Sequence, residues 1–215
     1  MALPGIAPYA QPSLADLPKP RGAWQPSRDR MAVLVHDMQR YFCRPFPDTV
    51  LDPVTANIAR LIQSARAAGV PVFYTAQKGN QFRPDRGLQA DLWGPGMQAT
   101  PEHEEVLPAL APAEGDIVLV KHRYSAFQRS NLETLMRARG RDQLMICGVY
   151  AHIGCLATAV EAFQRDIETF AVADAQADFS RNKLDLAMGW IAATCGIPMM
   201  TDQAVATFAQ VAECA

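Results

Sequence analysis

Six nearly uninterrupted apolar runs, at residues 32–38, 70–77, 116–122, 143–150, 169–175 and 197–201, constrain the fold of this 215-residue chain more than any other feature. A strand with one wet face alternates apolar and polar residues, whereas a parallel strand covered by helices on both faces reads as continuous Val, Ile, Leu and Met. Helical periods lie between the runs. Asp52-Pro53 offers an N-cap and a first-position proline, and Val54, Ile58, Leu61, Ile62 and Ala65 make one stripe before Gly69. Ser130 with Glu133 spells a capping box opening a helix over 131–139 that stops at Gly140, and Ser180 caps a helix running to Gly196. The alternation predicts a doubly wound, Rossmann-like α/β fold: a three-layer α/β/α sandwich on a parallel sheet of about six strands.

A hydrophobic content of 49% over this length is enough to bury a full core, and one domain over 1–215 is expected, without a carrier domain. Residues 1–23 hold five prolines and little apolar period, which predicts an extended arm lying on the body or on a neighbouring subunit. Residues 78–99 are broken by Gly79, Pro84, Gly87, Gly94, Pro95 and Gly96, so they read as a helix-free loop of the kind that covers a site.

Several classes are disfavoured by what the chain lacks. A formal net charge of -2 without long charge runs gives no reason to expect nucleic acid. No stretch approaches a membrane span and no leader pattern opens the chain. The five cysteines, 43, 147, 155, 195 and 214, are odd in number and lack C-x-x-C spacing, which fits reduced thiols in a cytoplasm. His36, His103, His122 and His152 show no metal-ligand spacing, and neither a dinucleotide nor a P-loop fingerprint is present, so no metal and no cofactor are indicated.

Three of the apolar runs end in reactive groups. Asp37 closes the first run, where α/β sheets place ligands, and reads either as a general acid or base or as a cap on the next turn. Lys121 closes the third, either to bind an acidic substrate, to pair with Asp37, or as a surface lysine. The fourth runs through Tyr150 into Ala-His-Ile-Gly154-Cys155; Cys155 reads as a nucleophile or as a packing residue, and His152 as a base or a structural histidine. Gln77 ends the second run and falls at the same sheet end.

The segments His36-Asp-Met-Gln-Arg-Tyr-Phe42, Tyr74-Thr-Ala-Gln77, Trp93-Gly-Pro-Gly-Met97, Val120-Lys-His-Arg-Tyr-Ser-Ala-Phe127 and Gly148-Val-Tyr-Ala-His-Ile-Gly-Cys155 occur in this order. The chain resembles bacterial isochorismatases from the proline-rich arm to about residue 205. The wider superfamily includes amidases with an Asp, Lys, Cys triad; by motif alignment Gly154 stands at the nucleophile's position and Cys155 lies one residue beyond it.

That resemblance implies hydrolysis of the vinyl ether of isochorismate to 2,3-dihydro-2,3-dihydroxybenzoate and pyruvate, the step that feeds catecholate siderophores. It implies that Asp37 is the acid, that Lys121 holds a substrate carboxylate and orients Asp37, that Gln77, Arg86, Trp93, Tyr150 and Gly154 line the pocket, and that Phe42 supplies apolar wall. The alternative within the family is 2-amino-2-deoxyisochorismate, as in phenazine pathways, suggested by Arg40 and Arg44-Pro45-Phe46-Pro47. A cysteine amidase using Cys155 is the more remote alternative. A homodimer and a separate carrier protein are the partners the resemblance implies.

Overall fold

In the computed structural model, which describes residues 3–209, the six runs become β1 (Met31–His36), β2 (Val72–Ala76), β3 (Ile117–Val120), β4 (Gln143–Val149), β5 (Glu168–Ala177) and β6 (Gly196–Met199). They form one sheet in the order β3-β2-β1-β4-β5-β6, with every neighbouring pair parallel. The helical segments are α1 (Arg40–Cys43), α2 (Asp48–Ala67), α3 (Arg83–Arg86), α4 (Gln89–Trp93), α5 (Pro101–Glu104), α6 (Leu132–Arg137), α7 (Leu156–Phe163), α8 (Arg181–Thr194) and α9 (Thr201–Ala209). None of them is long and apolar enough to cross a membrane.

The period-two geometry of β1 divides the core. Met31, Val33 and Val35 pack into one layer with Val54, Ile58, Leu61 and Ala65 of α2 and Ala204 and Phe208 of α9. Ala32 and Leu34 face the other layer, against Ala159 and Ala162 of α7 and Leu184, Ala187 and Ile191 of α8. Each large side chain fully buried in this way contributes about 1.5–3 kcal/mol, and the two layers account for runs with no polar face. The expected three-layer α/β/α sandwich is the architecture observed.

Three local expectations are corrected. Helix α2 begins at Asp48, so Asp52-Pro53 does not open it, and Pro53 lies inside. The exposed early turns tolerate it, because both Pro53 and Thr49, whose carbonyl loses a donor, face solvent. The Ser130–Glu133 capping box does not form: Asn131 precedes α6, Ser130 Oγ donates to the Ala126 carbonyl, and Glu133 pairs with Arg165. The 78–99 loop does contain helix, in α3 and α4. Pro84 falls in the first turn of α3, where a missing N–H costs nothing, and Gly87 (φ +57) and Gly94 (φ +68) end the two turns in the left-handed region. The Ser180 cap forms, with its Oγ accepting from Lys183 N–H, and α8 ends at Thr194.

The amino-terminal arm lies along its own chain. Ile6 is buried and its N–H donates to the Pro45 carbonyl, the Tyr9 hydroxyl donates to the Asp178 carbonyl, and Arg21 N–H donates to the Ala192 carbonyl. In the strand order, sequence direction reverses between β1 and β4, and the crevice at their carboxyl ends is where such sheets bind ligands.

Candidate active site

Asp37 leaves β1 with φ at 50°, a backbone conformation uncommon outside glycine, and its carboxylate is buried at the crevice. Thr75, the register neighbour of His36 on β2, donates its hydroxyl to Asp37 Oδ1 at 2.6 Å and accepts Asp37 N–H. Gln77 Nε2 donates to Oδ2 at 3.3 Å. Lys121, just past β3, donates to Oδ2 at 2.7 Å. Burial is the largest influence on the Asp37 carboxyl and raises its pKa. The charge of Lys121, with help from His36, and the bonds from Lys121 and Thr75 together outweigh it and hold the group below the ordinary carboxylate value.

Lys121 is only 2% exposed, and its other two N–H groups go to the carbonyls of Arg123 (3.0 Å) and Tyr124 (3.2 Å). An ammonium has three donors, so none is left for a ligand. The expectation that Lys121 holds a substrate carboxylate is therefore corrected: the ammonium is committed to Asp37 and to the backbone after β3.

Arg86 is the second cation lining the cleft. It comes from α3, is 7% exposed, and directs Nε to the Gly94 carbonyl at 2.6 Å. Among the described residues no carboxylate pairs with it, and burial lowers its pKa while Tyr41 and Tyr124 partly offset that. A guanidinium so placed stays charged and has donors ready for a carboxylate.

The remaining wall is aromatic. Tyr150 donates its hydroxyl to the Phe42 carbonyl at 2.6 Å and packs between Phe46 (centroids 5.6 Å apart) and Phe179 (4.3 Å). Trp93 Nε1 donates to the Tyr124 hydroxyl at 2.7 Å. Buried Gln39 fixes the floor: its side-chain nitrogen donates to the Gln77 and Glu104 carbonyls and its oxygen accepts Gln77 N–H. Leu3 of the arm lines the wall of the cleft that these residues enclose.

Comparison with known proteins places this geometry. Residues 31–203 match the model of the isochorismatase domain. The chain belongs to the isochorismatase family. It is a hydrolase of that family and is 50% identical over 203 residues to the phenazine biosynthesis protein PhzD of Pseudomonas fluorescens, spanning 94% of this chain and 98% of that one. It is 48% identical over 205 residues to the isochorismatase of Bacillus subtilis (strain 168), covering 94% and 65% of the two chains. Among solved structures, the cysteine hydrolase from Pseudomonas syringae pv. phaseolicola 1448A superposes with a TM-score of 0.79 at 28% identity, covering 89% and 97% of the two chains.

In this isochorismatase-family chain, Asp37, Phe42, Gln77, Arg86, Trp93, Lys121, Tyr150 and Gly154 all line the one cleft. Cys155 does not. It is the last residue of the π-helical turn Ala151–Cys155 and is buried in the core layer that holds Ala151 and Ala159, and burial pushes its thiol well above the usual range, so it is protonated and shielded. His152 stands outside the cleft, its Nδ1 2.7 Å from buried Asp178. Cys214 lies outside the described residues.

Sequence reasoning missed Thr75, His36, Tyr41, Tyr124 and Phe179, all of which touch Asp37 or line the cleft. Thr75 carried a readable signal, since it lies two residues before Gln77 and shares its strand face. Phe179 carried none, because only the return of β5 beside β4 sets it against Tyr150.

Proposed function

We propose that this chain hydrolyses the vinyl ether of isochorismate to 2,3-dihydro-2,3-dihydroxybenzoate and pyruvate, with Asp37 as general acid and no covalent intermediate. One observation carries the reading: a buried Asp37–Lys121 pair faces the same cleft as Arg86, which pairs with no carboxylate among the described residues, and no thiol is among the lining residues. An anionic substrate has a cationic partner there, and a proton donor stands in reach, while an attacking side chain has no place.

Asp37 delivers its proton to the methylene carbon of the enol ether, whose double bond supplies the electron pair. The resulting oxocarbenium ion takes a water molecule at the ether carbon. That water returns one proton to the Asp37 carboxylate; the hemiketal then collapses, its hydroxyl proton passing to the departing ring oxygen as pyruvate forms. Arg86 anchors a substrate carboxylate, and Lys121 with Thr75 and Gln77 aims Asp37. An acid must be protonated to act. Bringing substrate carboxylates beside Asp37 and expelling water both raise its pKa, opposing the hold that Lys121 keeps in the free protein.

The second reading is the same chemistry on 2-amino-2-deoxyisochorismate, supported by the 50% identity to a phenazine biosynthesis protein. Arg40 and Arg44, which suggested it, do not line the cleft: Arg40 pairs with Glu105 and Arg44 is exposed. Pyruvate release from each substrate, with Asp37→Ala as the background, tests both readings. Release from neither above background would sink the vinyl-ether chemistry.

The resemblance also supports a homodimer in the cytoplasm and docking of a separate carrier protein. Light scattering, cell fractionation and titration with a phosphopantetheinylated carrier test these in turn; a monomer, a secreted product or no binding would refute each.

A further inference from the structure

Gly154 has no conformational reason to be glycine. Its φ lies outside the left-handed region, unlike that of Gly148 at +113°, so its backbone accepts an L side chain. The obstacle is space. A Cβ at position 154 would meet Cε1 of His36 at 2.1 Å, Nε2 at 2.8 Å and Nδ1 at 3.0 Å, so its three nearest neighbours all belong to one imidazole. That ring is held in place: it is 1% exposed, Nδ1 lies 2.8 Å from the Val149 carbonyl, and Nε2 lies 3.3 Å from the Tyr124 carbonyl. Nδ1 is also 3.8 Å from Asp37 Oδ2, so the filled volume borders the carboxylate.

We propose that His36 sets the reaction class of this site: its imidazole occupies the volume that any residue-154 side chain needs, and so bars a nucleophile from standing beside Asp37 and Lys121. The proposal rests on the reading of a site that works without a covalent intermediate. His36 acts by exclusion and exchanges no proton in the proposed reaction. Any atom larger than hydrogen at 154 must displace a buried ring whose one N–H is tied to a backbone carbonyl, and close packing of the interior leaves little slack for that. Loss of the ring opens the volume without altering the side chains of Asp37, Gln77 or Lys121. The residues at 36 and 154 are therefore one coupled choice, far apart in sequence and joined by a single contact.

A double-mutant cycle on the full chain tests the coupling: Gly154→Ala, His36→Asn and the double variant, compared by thermal unfolding. Asparagine keeps an N–H donor for the Val149 carbonyl and has no atoms where Cε1 and Nε2 stand. Gly154→Ala is expected to lower Tm by several degrees beside His36 and by less than half as much in the His36→Asn background. Equal losses in the two backgrounds overturn the proposal, as does a double variant that fails to fold while His36→Asn alone folds. If His36→Asn itself does not fold, His36→Val runs the same cycle.

A second readout follows what packing alone would not move. Gly154→Cys, with and without His36→Asn, is treated with iodoacetamide and alkylation at position 154 is located by peptide mass spectrometry. The 154 thiol of the double variant should react at least tenfold faster, with a rate that rises with pH as thiolate forms; buried Cys43, Cys147, Cys155 and Cys195 serve as internal references. Equal reactivity in the single variant would mean that the ring yields, and would overturn the proposal. Failure of the unaltered protein to release pyruvate would sink the vinyl-ether reading, whereas the unfolding cycle and the alkylation rates decide the exclusion by His36 whatever the substrate.

Discussion

Lys121 and Asp37 form an ion pair 2.7 Å apart in which both side chains are nearly inaccessible to water, and the lysine's other two donors close on backbone carbonyls of the segment that follows it. The pair is thus a structural unit, whatever part it takes in the proposed chemistry. Removing one partner of a buried pair leaves an uncompensated charge, at a cost of about 3–5 kcal/mol.

Lys121→Met should lose about that much stability at pH 7, measured by urea denaturation. Without the ammonium, burial drives the Asp37 pKa upward, so at pH 5 the carboxyl is more nearly neutral and the loss shrinks. A loss as large at pH 5 as at pH 7 would contradict the assignment.

Asp37→Asn keeps the shape and removes the proton donor. Turnover should fall by roughly 10²–10⁴, with KM changed little, because general acid catalysis contributes that much and Arg86 is untouched. Turnover within tenfold of the unaltered protein would transfer the acid's role elsewhere.

Arg86→Ala should raise KM by about 10- to 100-fold, the equivalent of a charged hydrogen bond worth roughly 1.5–3 kcal/mol. Arg86→Lys should recover only part of it, since a lysine lacks the bidentate fork. A KM unchanged in both variants would remove Arg86 from carboxylate binding.

Stability should fall as pH drops from about 6.5 toward 4. Burial, with Lys121 nearby, lowers the His36 pKa from 6.5 to about 4, so the folded state holds the ring neutral while the unfolded chain binds a proton in this window. This contribution is complete above 6.5 and is lost as pH falls through the folded value; it amounts to about 3 kcal/mol at most. His36→Asn should flatten that limb of the stability profile, and an unchanged acid limb would count against a neutral buried ring.

Cys155→Ala should leave pyruvate release within about threefold and cost roughly 1 kcal/mol of stability, as for a small buried side chain. Loss of turnover without unfolding would reopen the thiol reading.

The sheet was legible because both faces of its inner strands are dry, which makes each of them a nearly unbroken apolar word in the sequence; edge strand β3 keeps that apolar pattern although Val118 and Val120 are exposed. Asp37, Gln77, Lys121 and Tyr150 were legible for the opposite reason, as polar residues closing such words. What stayed hidden depends on cross-strand register and loop return. The contact between His36 and Gly154 exists only because β1 and β4 pair with His36 opposite Gly148. The donors of Lys121 are used up by carbonyls of residues 123 and 124, and no residue type announces where a carbonyl will point. Helix ends were misplaced where side chains found other partners, as Glu133 did with Arg165.

The arm has a practical consequence. Leu3 sits in the wall of the cleft, and Tyr9 is fastened to Asp178, next in sequence to the Phe179 that packs on Tyr150. Anything fused to this end is joined two residues ahead of a side chain in the cleft wall, so the length and charge of an affinity tag there become kinetic variables, and assays comparing variants should share one tag or none.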